Sequence, residues 1–230
     1  MSWGSDVRRV RAVAWKDLTA ERRSRAVLNS VTFLGVLILM LFGFALGPDR
    51  EALRDASSGA LWLAILFSGI LAFNRSYQIE LDGGALESLL LYPGSRWSIF
   101  AGKLLANLAF VFLVELVVIP VAIVLFQVSV PEGWAWATQL AVLVLGTVGF
   151  VTLGTFYAAM SSRSRAREVL LPLLLFPMMI PVLLGAVQAS DSLLHGDPMQ
   201  EASAWIGMLV AYDVIFLTAA LVTFEYVIEV

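Results

Sequence analysis

The chain has 230 residues, 60% of them hydrophobic and only 14% charged, with a mean hydropathy of +0.86. A soluble globular domain has roughly half apolar and about a quarter charged residues, so that class is excluded and a polytopic membrane protein is implied. The formal charge of -3 has little meaning as a total, since what counts is where Lys and Arg sit around the spans, and the lack of cysteine excludes disulfides, thiolate metal sites and cysteine nucleophiles.

Residues 3–25 place Trp3, Val7, Val10, Ala14 and Leu18 at helical spacing, with seven Lys and Arg largely elsewhere. This reads as a basic amphipathic helix in the cytoplasmic interface. The same pattern serves nucleic-acid arms, but direct attachment to a span favours anionic lipid. No apolar core followed by a small-residue cleavage site precedes it, so no signal peptide is expected and the first span does the targeting. Span one, 27–46, is an apolar run long enough to cross about 30 Å of hydrocarbon. Gly47-Pro48 ends it, and PDREALRDASS is expected to be a short polar loop. Span two, 59–77, enters with Trp62 and ends near Asn74-Arg75.

The stretch QIELDGGALESLLLYP, 78–93, interrupts two very apolar runs with Glu80, Asp82 and Glu87, a Gly83-Gly84 pair and a closing Pro93. A short helix opening after the glycines would bring Leu86, Leu89, Leu90 and Tyr92 near one face, with Glu87 near its start. Such a face needs a partner or a bilayer surface. Span three, 98–126, carries Lys103 at its near end, Glu115 inside it and Pro120 as an expected kink. A loop with interfacial Trp134 and Trp136 leads to span four, whose Gly146, Gly149, Gly154 and Ala158 suggest close helix packing. SSRSRARE, 161–168, is a compact basic loop. Span five, 169–189, holds Pro172, Pro177 and Pro181, so it is expected to be bent or broken, with its freed carbonyls satisfied by neighbours or water. Span six, 204–228, contains Asp213.

With the N-terminus in the cytoplasm, 13 of the 15 Lys and Arg residues fall inside and only Arg50 and Arg54 outside. The positive-inside rule thus supports six spans with both termini cytoplasmic and puts 78–93 on that side. The expected architecture is all-α and a single domain: an interfacial helix, 1–26, and a six-span bundle, 27–228, with a cytoplasmic coupling segment, 78–97.

A phosphate-binding loop GxxxxGK[ST] is missing; only Gly102-Lys103 stands, without the first glycine or the following hydroxyl, so the chain is not expected to hydrolyse ATP alone. An ATPase on another polypeptide could grip the cytoplasmic segment and turn its own closure into span movement. Glu115 and Asp213 are the other candidates, because a carboxylate at membrane depth is costly and tends to face a bundle interior or aqueous cavity. The plainer reading is a cross-helix hydrogen bond or a bound proton, with Asn107, Thr147, Thr152, Thr155, Gln139 and Tyr212 as potential donors. His195, the only histidine, reads as a solvated loop residue. No catalytic set or metal site suggests itself.

Three local patterns, in order on this topology, resemble the CcmB family, permease subunits of the bacterial cytochrome c maturation ABC system, also called haem exporter protein B. They are Gly83-Gly84-Ala85-Leu86-Glu87-Ser88-Leu89-Leu90-Leu91-Tyr92-Pro93, then Gly133-Trp134 followed by Leu145-Gly146-Thr147, then Pro177-Met178-Met179-Ile180-Pro181-Val182-Leu183. In the first, Gly83 stands where the family often has Asp, and Asp82 lies one residue earlier. The resemblance implies an ABC-2 exporter-like fold in the bacterial inner membrane, a non-catalytic homodimeric permease and an ATPase, CcmA, on the cytoplasmic face, where ATP is bound. It further implies association with CcmC, CcmD and the haem chaperone CcmE. ATPase coupling would then rest on Asp82, Gly84, Leu86, Glu87, Leu89, Leu90 and Pro93. Haem enters as a transported or handled ligand rather than a resident cofactor; the scarcity of iron-ligating side chains favours release of haem-loaded chaperone over carriage of haem. Two other classes stay open on the residues alone: a proton-coupled secondary transporter working through Glu115 and Asp213, and a passive membrane scaffold.

Overall fold

The computed structural model describes residues 3–82, 95–129, 133–161, 167–197 and 200–227. Seven helices fill them: α1 (Trp3–Ser24), α2 (Ala26–Leu46), α3 (Arg50–Asp82), α4 (Trp97–Phe126), α5 (Trp134–Ser161), α6 (Arg167–Leu194) and α7 (Ala202–Val227), with no strand among the described residues. All but α1 contain a stretch long and apolar enough to cross a membrane, so the six expected spans are present and the chain is a multi-pass membrane protein.

Local chemistry explains the joints. Arg25 adopts a left-handed conformation, φ 51°, which breaks the helix between α1 and α2, and Glu21 Oε1 accepts from the Leu28 amide at 2.8 Å, capping α2 from the preceding helix. Gly47, φ 70°, closes α2. The expected polar loop after it is largely absent. Asp49 Oδ1 accepts from the amides of Glu51 at 3.0 Å and Ala52 at 3.4 Å, and this cap starts α3 at Arg50, so 50–58 are helical. The same helix runs on past the expected end at 77 to Asp82, giving 33 unbroken residues.

Two apolar clusters share α3 and α4. One gathers α2 with them around Val31, Leu39, Ala64, Val118 and Phe126; the other joins them to α5, α6 and α7 around Trp62, Phe73, Phe150, Val182 and Leu209. Because lipid is as apolar as a leucine side chain, helices in a bilayer associate through close fit, and small residues permit it. The row on α5 does this as expected. A Cβ on Gly146 would lie 2.3 Å from the Trp62 ring of α3, and one on Gly154 2.1 Å from the Phe73 ring. Trp62, with which span two is expected to enter, is therefore a fully buried packing residue, 1% exposed.

The seating of α1 also differs from the amphipathic reading. Val7 is 56% exposed, while Asp6 and Val13 are buried and Val10 and Asp17 are half-buried. The inward face is thus rotated toward α4, where Val13 rests on Gly102 so closely that a Cβ there would meet its Cβ at 2.7 Å. An ion pair between α1 and α4, described below, lies on that inward face.

Candidate functional site

A polar seam runs between α4 and α5. Asn107 Nδ2 donates to Thr155 Oγ1 at 2.9 Å, and Thr147 Oγ1 donates to Glu115 Oε1 at 2.5 Å. Each helix contributes two residues spaced about two turns apart, and the antiparallel register that makes one pair makes the other. Val111 and Val151, midway on each helix, are both buried between them. Glu115 is 4% exposed, so Thr147 is its partner in a medium where an unsatisfied carboxylate oxygen would be costly. One of the six potential donors is thereby chosen.

Asp213 on α7 does not join this seam. Its Oδ1 would stand 2.5 Å from a Cβ on Gly149, so it lies directly over that glycine, two residues from Thr147 and hence about 200° round α5. The two membrane carboxylates meet opposite sides of α5. Both Asp213 oxygens are buried with no hydrogen-bond partner among the described residues, as is the Thr152 hydroxyl. Of the two readings, a cross-helix donor or a bound proton, no donor is placed for Asp213 among the described residues. Its neighbour Tyr212 instead donates to the Met178 carbonyl at 2.6 Å, and of the other named groups Asn107, Thr155, Thr147 and Gln139 are engaged elsewhere.

That Tyr212 bond reaches the proline-rich part of α6. Pro172, Pro177 and Pro181 all lie inside one continuous helix, so the broken form of span five is overturned. Pro181 has no N–H to bond the Pro177 carbonyl, and Tyr212 reaches not that carbonyl but the next one along, Met178, so its bond ties α7 to α6 beside the prolines. Pro120 likewise sits within α4 without ending it.

At the end of the bundle that carries α1, Lys103 is wholly buried and its Nζ lies 3.2 Å from Asp17 Oδ2, while Asp17 Oδ1 pairs with Lys16 at 3.3 Å. This clasp holds α1 on α4. From the sequence, Lys103 reads as a topological charge and as a remnant of a phosphate-binding loop; a lysine five residues into an apolar run was a signal of the same kind as Glu115. The coupling residues Gly84, Leu86, Glu87, Leu89, Leu90 and Pro93 lie outside the described residues. Asp82 is the last residue of α3, so the first five residues of the expected segment, 78–82, belong to that helix.

At the opposite end, Arg54 donates to the Leu194 carbonyl at 2.5 Å, and His195 Nε2 lies 3.3 Å from Asp55. The histidine is therefore not merely solvated: it ties the turn after α6 to the start of α3. Deeper, Ser190 Oγ accepts from both Trp62 Nε1 and Gln139 Nε2, each at 3.1 Å, joining α3, α5 and α6. Among the described residues no group of three His, Asp or Glu side chains is placed to hold a metal ion.

Known proteins place this arrangement. The chain is 31% identical to "Heme exporter protein B" of Haemophilus influenzae over 73% of its own length and 74% of the relative's. It is 30% identical to the protein of that name from Pseudomonas aeruginosa over 83% of each chain, and 29% identical to that from Escherichia coli over 84% and 86%. The profile described as "CcmB protein" matches residues 8–229, which take in α2 to α7 whole and α1 but for its first five residues, and the chain belongs to the CcmB family.

Proposed function

We propose that this chain is the membrane-spanning permease subunit of an ABC-type haem exporter serving cytochrome c maturation. The observation that carries it is the family match over 8–229 on a six-span bundle, together with relatives named heme exporter protein B. The chain is non-catalytic, and ATP is bound and hydrolysed by a CcmA-like subunit on the cytoplasmic face. It sits in the bacterial inner membrane with both termini inside, as the distribution of Lys and Arg supports. It works as a homodimer beside CcmC, CcmD and the haem chaperone CcmE.

The coupling segment is the handle in this reading. It leaves the end of α3 and returns at the start of α4, the two helices shared by both apolar clusters. A pull on it is therefore delivered to the centre of the bundle, and the Lys103–Asp17 clasp carries α1 along. Glu115 and Thr147 hold α4 to α5 during the movement. Haem is the ligand handled, and nucleotide-driven release of haem-loaded chaperone is favoured over carriage of haem because the buried polar groups are carboxylates, hydroxyls, an amide and the Lys103 ammonium, poor iron ligands beside histidine or thiolate.

The test is replacement of Leu89 and Leu90 by Asp. Membrane insertion is expected to persist while co-purification of the ATPase is lost. Unchanged co-purification would sink the contact, and normal maturation with a hydrolysis-dead ATPase would sink the permease role in favour of a scaffold.

A further inference from the structure

Between α3, α4, α5 and α6, one to two turns from their ends on the side away from α1, lies a cavity of about 140 Å³. None of the residues lining it is charged, so it suits a neutral occupant. Its walls are mostly apolar, with Ile123 and Leu143 among them, and exposed Trp136 and Leu140 form its rim on α5, facing the space a bilayer would fill. One region of the wall is polar. There Ser190 accepts from Gln139 and Trp62, which uses one end of the Gln139 amide. The other end, Oε1, is buried without a partner among the described residues, and so is the hydroxyl of Ser58, itself 2% exposed.

Buried polar atoms in a lipid-facing protein are satisfied by something, and these two constrain what. An amide oxygen needs a donor. A serine hydroxyl needs an acceptor. A hydroxyl group supplies both, and it does so whichever way the Gln139 amide is turned. The size sets the rest, because a cavity of about 150 Å³ is known to hold one benzene, so room exists for a hydroxyl and some five or six carbons. Two acyl chains do not fit.

We propose that this cavity binds the hydroxyl end of a neutral single-chain amphiphile drawn from the leaflet facing the start of α5. The ligand O–H donates to Gln139 Oε1, its oxygen accepts from Ser58 Oγ, and its chain leaves past Leu140 and Trp136.

The experiment uses the full chain in lipid nanodiscs and a photoactivatable 1-decanol bearing a diazirine near the hydroxyl, with labelled peptides identified by mass spectrometry. Label is expected on the peptides around Ile123 and Leu143. Unlabelled 1-decanol is expected to displace it about tenfold better than n-decane, the preference that one or two net hydrogen bonds give. Ser58→Ala with Gln139→Leu should abolish that preference with little change in volume, and Leu143→Trp should fill the space and remove the label. Thermal melting checks that each variant folds, and should Leu143→Trp fail, the polar double variant decides. Equal competition by decane, label indifferent to both variants, or no label, as a cavity holding water alone would give, each overturns the proposal.

Discussion

The Glu115–Thr147 bond is expected to yield a measurable coupling between α4 and α5. Thr147 is wholly buried and Glu115 is 4% exposed, so Thr147→Val leaves a carboxylate oxygen with no donor at a bond length of 2.5 Å, a loss of about 1–3 kcal/mol. Glu115→Leu costs less, about 1 kcal/mol, because a helical threonine can turn its hydroxyl to the carbonyl one turn back. Glu115→Gln keeps an acceptor and is expected to fall within about 0.5 kcal/mol of the parent. The double variant should then reveal an interaction energy of about 1 kcal/mol, below the ceiling of about 1.7 kcal/mol found for hydrogen bonds between helices in a bilayer. Reversible unfolding by SDS in mixed micelles measures all four forms. Additivity within about 0.3 kcal/mol, with every variant folded, would refute the bond as a source of stability. A Glu115→Gln protein that assembles with its ATPase yet halts cytochrome c maturation would instead make the charge part of the mechanism.

Gly154→Leu drives a side chain into the Phe73 ring and is expected to cost more than the usual 1–3 kcal/mol of overpacking, whereas Gly59→Ala, with open space around it, should be neutral; yield of monodisperse protein separates the two. Asp17→Leu removes a partner from buried Lys103, so the pair Asp17→Leu with Lys103→Met should melt at a higher temperature than Asp17→Leu alone. Asp213→Ala and Glu115→Ala both open space, but only the second breaks a hydrogen bond, so the second should lower the unfolding midpoint more. The chain has no cysteine, so single cysteines at Arg50, Trp134 and His195 should react with an impermeant maleimide in intact cells, and those at Glu87 and Arg165 should not.

The spans were legible because length and hydropathy alone decide whether a helix crosses a bilayer, and the glycine row of α5 was legible because close approach leaves few alternatives to glycine. The start of α3 was misread because polar composition was taken for a loop. Asp49 followed by Arg, Glu, Ala and Leu was a helix start in plain view. The inward face of α1 was misread for a different reason: apolar periodicity assumes that burial is apolar, and here Asp17 turns in to meet a buried lysine contributed by a helix 86 residues away. Thr147 stood among the potential donors, but choosing it needed the register between two antiparallel helices, which no single segment encodes.

The unbroken run of α3 has a mechanical consequence. Its 33 residues make a rod of about 50 Å, so a tilt of only about 5° at one end moves the other by about 4 Å. One end adjoins the coupling segment; the other bears Arg54 and Asp55, which hold the Leu194 carbonyl and His195. No proline interrupts the rod to absorb the swing. Under the proposed function, work done on the segment after Asp82 would arrive at the other face as a change in the turn between α6 and α7, with no channel needing to open along the way.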